Sequence, residues 1–188
     1  MYTIASVTPT LCKLMGVEPP VIATAEPVKE VLNTAKKMGL DEIERALIYA
    51  PDALGEWIYR ENMALYSKVK LAAPIEVEVS SIMPTWTPVC YASVFTGAKP
   101  EAHGIMKYEK PTLTCDTIFD AFIRARKRVA LVAVKNSSID IIFRGRKMDY
   151  YTEEYDPQVE IRVLDIINDF DILYLQDVND LIHLEIHN

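Results

Sequence analysis

Four hydroxyl side chains crowd residues 83–105, which read M-P-T-W-T-P-V-C-Y-A-S-V-F-T-G-A-K-P-E-A-H-G-I: Thr85, Thr87, Ser93 and Thr96. Thr87 stands just before Pro88, a residue well suited to the first turn of a helix. A hydroxyl there sits where backbone N–H groups and the helix dipole favour an anion such as a phosphoryl group. A threonine at that place can equally be a plain N-cap. A second candidate, Asp52, follows a short apolar run at 46–50 through Pro51. It offers a carboxylate for a metal, or a cap for the next helix. The third group is the tail, which carries Asp177, Asp180, His183 and His187. Carboxylate and imidazole donors suit zinc or manganese. His183 and His187 are four apart and share one face if the tail is helical. The other reading of the tail is a solvated polar end, but two of the chain's three histidines lie in it.

These residues need elements to hold them. Thr8-Pro9 sets the start of a helix whose apolar face is Leu11, Leu14 and Met15, with Gly16 as its stop. A stiff Glu18-Pro19-Pro20 connector follows, then a second helix opened by Glu26-Pro27 and ended by Gly39. The runs 46–50 (ALIYA), 129–134 (VALVAV), 139–143 (IDIIF) and 171–175 (DILYL) predict strands, the first and last as strands buried on both faces. Residues 53–66 predict a helix, and Asp156-Pro157 opens another with Val159, Val163, Ile166 and Ile167 on its inner face. Apolar strands alternating with helices predict an α/β fold with a mostly parallel sheet. In such sheets ligands bind beyond the carboxyl ends of the strands, so Asp52 and the tail are expected to meet there.

Composition narrows the function. With 188 residues, half of them hydrophobic and a quarter charged, the chain can bury a core and is not disordered. A net charge of −7 argues against a nucleic-acid binder, which needs a basic surface to neutralise phosphates. It leaves room for a small phosphorylated substrate, because a metal supplies positive charge locally. Cys12, Cys90 and Cys115 stand far apart and odd in number, as expected of reduced thiols. No apolar run is long enough for a membrane span, and no charged-then-apolar leader opens the chain. A soluble, cytoplasmic protein is the expectation.

Residues 83–105 resemble the nucleophile motif of the alkaline phosphatase superfamily, in its nucleotide pyrophosphatase/phosphodiesterase-like branch. That motif runs P-T-x-T, then T-G, then P-E-x-H-G-I. Here Pro84-Thr85, Thr87, Thr96-Gly97, Pro100-Glu101 and His103-Gly104-Ile105 stand at the matching spacing. The resemblance covers about residues 44–188 and the N-terminal half of that family's catalytic domain. It implies a three-layer α/β sandwich with a mostly parallel sheet. It also implies Thr87 as nucleophile and metal ligand, and Asp52 as a metal ligand. Asp180 and His183 then stand for the family's D-x-x-x-H ligands, although Asn179, not Asp180, occupies the aspartate's register. His103 is implied to support its loop, not to bind metal. Where the family has an Asn three residues after His-Gly-Ile, this chain has Tyr108. Residues 7–20 are similar to a helix found near the family's C-terminal end, which suggests a rearranged order.

The expected activity is metal-dependent hydrolysis of a phosphate ester or phosphodiester through a threonine nucleophile, with Zn²⁺ or Mn²⁺ as cofactor. The later Asp-His pair and final histidine of a two-metal site have no counterpart in the sequence, so the chain is expected to be part of a larger catalytic domain. Two other readings remain open. One is a noncatalytic relative that binds metal or anion; the other is a structural or interaction domain.

Overall fold

Five consecutive buried residues and a half-buried sixth, Val129–Val134, form the strand on which the sheet is built. The computed structural model describes residues 1–40, 42–52 and 54–175. A 3-10 turn at Ile4–Ser6 leads into α1 (Val7–Leu14), followed by α2 (Lys29–Lys37) and β1 (Ala46–Tyr49). Then come α3 (Glu56–Glu61), α4 (Ser67–Ala72), α5 (Thr87–Thr96), α6 (Pro100–His103) and α7 (Ile118–Arg124). The chain continues through β2 (Val129–Val134), α8 (Ser138–Ile142), β3 (Asp149–Glu153), α9 (Asp156–Ile166) and β4 (Ile172–Leu175). The strands pair in the order β1-β4-β2-β3, all parallel.

Alternate residues of β2 serve two cores, as the two-residue period of a strand requires. Val129, Leu131 and Ala133 face the larger one with Val89, Phe95, Phe119, Phe122, Phe143 and Tyr174. Ala130 and Val132 face a smaller one with Val159, Val163, Ile166 and Phe170. Helices thus cover both faces of the sheet, an α/β three-layer sandwich. In the larger core, Phe95 stacks on Phe119 at 5.0 Å and meets Phe143 and Tyr174 edge-on at 5.2 and 4.9 Å. These are favoured aromatic geometries. They pin the C-terminal end of α5 to the centre of the molecule, and so fix the helix whose other end carries Thr87.

Gly97 ends α5 in the left-handed conformation at φ +70°. A Cβ there would stand 3.0 Å from the Ala23 side chain and 3.3 Å from those of Pro9 and Thr8. Its carbonyl accepts from both Thr24 and Ala25 backbone N–H groups. Gly104 ends α6 in the same way at φ +86°. The two glycines of residues 83–105 are therefore needed by the backbone.

Three expectations change, and one strand was not foreseen. The strand expected over 139–143 is instead the body of α8, with Phe143 as its C-cap. The Ser137 side chain accepts from Asp140 N–H, a cap that starts a helix, and every residue of α8 except Ile141 is buried, so the apolar run carried no strand period. The third strand lies at the polar Asp149–Glu153. β1 is not buried on both faces; it is an edge strand, with Leu47 49% and Tyr49 41% exposed. The helix expected over 53–66 is shorter and begins at Glu56 after Gly55 as N-cap, with Asn62 as its C-cap and the Asn62 side-chain amide donating to Ile58 O. Among the described residues no helix is long and apolar enough to cross a membrane.

Candidate active site

Ala50 closes the β1–β4 ladder, its N–H donating to Leu175 O. Pro51 has no N–H to continue the ladder, so the chain leaves the sheet and carries Asp52 beyond the carboxyl end of β1. On the neighbouring layer, residues 80–86 run over the cis Met83–Pro84 peptide into α5. Trp86 is the N-cap of α5, without a side-chain cap, and Thr87 is the first helical residue. Thr87 is therefore not the N-cap that its position before Pro88 allowed. Asp52 is not a cap either, since α3 starts at Glu56 with Gly55 before it.

Thr87 and Asp52 come together. The Thr87 Oγ1 lies 3.5 Å from both Oδ1 and Oδ2 of Asp52. A hydroxyl that faces both oxygens of one carboxylate, at the uncapped end of a ten-residue helix, is a place for an oxygen-seeking cation and an anion together. The donor chemistry of the pair, two hard oxygen types, fits a divalent metal; two residues alone do not complete its shell. Among the described residues no group of three or more His, Cys, Asp or Glu side chains could hold a metal. Asp180, His183, Asp177 and His187 lie outside the described residues. What is described is that the β1 and β4 ends, after which Asp52 and the tail follow, lie side by side.

The other hydroxyls of the segment have different work. Thr85 is exposed. Ser93 is buried and bonded to His103 Nε2 at 2.9 Å. Thr96 donates to Ala92 O at 2.7 Å and accepts from Ala98 N–H. Lys107 pairs with Glu109 at 2.7 Å on the exposed surface. Tyr108 is also exposed. Cys90 is half-buried beside Ser81 Oγ and Ile82 O. All three cysteines are free thiols.

His103 holds the turn after α6. Its Nδ1 accepts from Ile105 N–H at 3.2 Å, so the ring proton is on Nε2 and faces Ser93 Oγ. Burial lowers its pKa from 6.5 to about 4. The unfolded chain takes up this proton at higher pH than the folded one. The stability tied to neutral His103 is therefore complete above pH 6.5 and is lost as pH falls towards 4, by up to about 3 kcal/mol. Urea unfolding of wild type and His103→Gln at pH 7 and pH 4.5 checks this. The variant is expected to lose less stability on acidification; an equal loss would assign the acid sensitivity to other groups.

One contact was not read from the sequence. Tyr91, one helical turn past Thr87, donates its hydroxyl to Ala50 O at 3.0 Å. The four-residue spacing from Thr87 was the available signal, since it puts both on one face of a helix. A cavity of about 580 Å³ begins at Leu54 and Gly55 and is lined further by Tyr59, Arg60 and Lys70. Neither Asp52 nor Thr87 lines it.

No protein-family model and no curated protein sequence matches the chain. Among solved structures, phosphonoacetate hydrolase from Sinorhizobium meliloti 1021, in complex with phosphonoacetate, matches with a TM-score of 0.53 at 18% sequence identity. The match covers 74% of this chain and 47% of that one, so this chain spans about half the length of the hydrolase. At that identity the likeness concerns the fold. The chain has an α/β fold of the alkaline-phosphatase-like kind, with an all-parallel sheet between layers of helices.

Proposed function

We propose that the chain carries the nucleophile half of a metal-dependent hydrolase of phosphate esters or phosphodiesters, of the nucleotide pyrophosphatase/phosphodiesterase-like branch. The observation that carries this reading is the Thr87 hydroxyl, set at equal distance from both Asp52 oxygens and spent on no cap. The likeness in fold to a hydrolase crystallised with phosphonoacetate supports it. A bound Zn²⁺ or Mn²⁺, held by Asp52 and Thr87 together with Asp180 and His183, supplies positive charge that lowers the hydroxyl pKa and neutralises phosphoryl oxygens. Thr87 Oγ1 forms a bond to phosphorus as the ester P–O bond breaks; the leaving alkoxide takes up a proton. Water then hydrolyses the phosphothreonine and restores the hydroxyl. The N-terminus of α5 orients the transferring anion through backbone N–H groups.

The noncatalytic reading keeps one observation in its favour. Tyr108, exposed, stands where the resembled motif places an Asn that holds a phosphoryl oxygen. Metal titration separates the readings at their first step. A hundredfold excess of Zn²⁺ or Mn²⁺ over its dissociation constant stabilises the native state by about 2.7 kcal/mol and raises Tm accordingly. The rise is expected in wild type and is expected to shrink in Asp52→Asn. No rise with either metal would reject metal binding; an unchanged rise in Asp52→Asn would reject Asp52 as a ligand.

A further inference from the structure

Asp52 hangs on a short turn, and the structure shows what holds that turn. Ala50 is bound at both of its backbone groups: N–H to Leu175 O of β4, and C=O to the Tyr91 hydroxyl of α5 at 3.0 Å. Pro51 then fixes one backbone angle, so little freedom remains before Asp52. Thr87 is on the same helix as Tyr91, one turn earlier. A hydroxyl-to-carbonyl bond thus ties the strand end that bears Asp52 to the helix that bears Thr87.

Behind Tyr91 lies Tyr174 of β4, fully buried. Its hydroxyl faces that of Tyr91 and has no hydrogen-bond partner of ordinary geometry. A buried unpartnered hydroxyl is costly and needs a reason. Tyr91 has one proton, given to Ala50 O, and lone pairs left over. A small closure lets Tyr174 donate to Tyr91 and so polarise its bond to Ala50. Burial and the nearby Asp52 charge push both phenols up, so both keep their protons.

We propose that Tyr91 is a positioning residue of the candidate active site, its hydroxyl, backed by that of Tyr174, fixing the turn that presents Asp52 to Thr87; this rests on the reading of Thr87 and Asp52 as the reacting pair. Tyr91→Phe removes one hydroxyl and keeps the ring in the core. Tyr150→Phe is the control. It removes a tyrosine-to-carbonyl bond, to Phe143 O at 2.5 Å, together with the bond its hydroxyl accepts from Arg146 N–H at 3.1 Å, in another part of the fold.

Amide hydrogen exchange is followed across residues 49–57, and Mn²⁺ affinity is measured on the same proteins. Tyr91→Phe is expected to speed exchange there about fivefold or more, as loss of one hydrogen bond allows, while Tyr150→Phe does not. Mn²⁺ affinity is expected to fall severalfold in Tyr91→Phe alone. Unchanged exchange in Tyr91→Phe, or an equal change in Tyr150→Phe, would overturn the proposal. So would faster exchange with unaltered Mn²⁺ affinity, because the turn would then not govern the site. Faster exchange in a protein whose wild type binds no Mn²⁺ would support Tyr91 as the tie of the turn and count against the hydrolase reading instead.

Discussion

Thr87→Ala is expected to lower turnover of a nitrophenyl phosphodiester about a thousandfold or more, because it removes the atom that forms the covalent bond. Thr85→Ala, two residues earlier and exposed, is expected to leave most of the activity. The two variants differ in what they remove. Thr87 is half-buried with its hydroxyl facing Asp52, whereas Thr85 points to solvent at the approach to α5. The assay belongs on the full natural protein with Zn²⁺ or Mn²⁺ present, because this chain spans about half of the hydrolase it matches in fold. Circular dichroism of each variant checks the fold. Equal loss in both variants would indicate damage to the loop and not loss of a nucleophile.

The largest effect on stability is expected far from Asp52. Arg146 has only 6% of its side chain exposed and spends its guanidinium within the protein. Nε donates to Asp120 Oδ2 at 2.8 Å and to Thr117 Oγ1 at 3.0 Å. Nη1 donates to Phe143 O, and Nη2 to Leu113 O and Cys115 O. The planar fork thus closes the capping box of α7 against the end of α8 and the 113–115 strand of chain. Arg146→Ala would leave a carboxylate and three carbonyls without this partner, at a cost of about 3–5 kcal/mol. Arg146→Lys is expected to recover only part, since one ammonium cannot reach all five acceptors. Urea unfolding of both variants measures it; a loss within about 1 kcal/mol for Arg146→Ala would mean that water replaces the fork.

Much of the architecture was legible because its signals were local. The run 129–134 is a strand with both faces buried, and it is the centre of the sheet. Val159, Val163 and Ile166 recur at helical spacing and are the buried face of α9. Gly16 and Gly39, read as helix stops, mark helix ends at positive φ. Legibility failed where burial and period parted. Four of the five residues 139–143 are apolar because α8 and its C-cap Phe143 are covered on nearly all sides, a case in which no period survives. Asp149–Glu153 is an edge strand with partial exposure, so it has a polar sequence and no strand signal. Leu47 and Tyr49 read as core and are half exposed, because pairing on one edge of β1 cannot be inferred from β1 itself.

The site divides in the same way. The proximity of Asp52 to Thr87 follows from a strand end and a helix start, both visible in the sequence. Their alternatives, two helix caps, depended on where α3 and α5 begin, which shifts by three residues and by one between pattern and structure. The tie through Tyr91 was not legible, since it joins residues 41 positions apart through one carbonyl. The tail ligands Asp180 and His183 remain proposals, in residues outside those described.

The central claim is that Thr87 Oγ1 attacks phosphorus, and a covalent adduct reports on it directly. The full natural protein is mixed with metal and a nitrophenyl phosphodiester, quenched in acid during turnover, digested and examined by tandem mass spectrometry. The account predicts the phosphoryl half of the substrate on Thr87, absent when the substrate or the metal is left out. Sustained turnover with the label on another residue, or with no labelled residue in a sample quenched during a demonstrated burst, would contradict it.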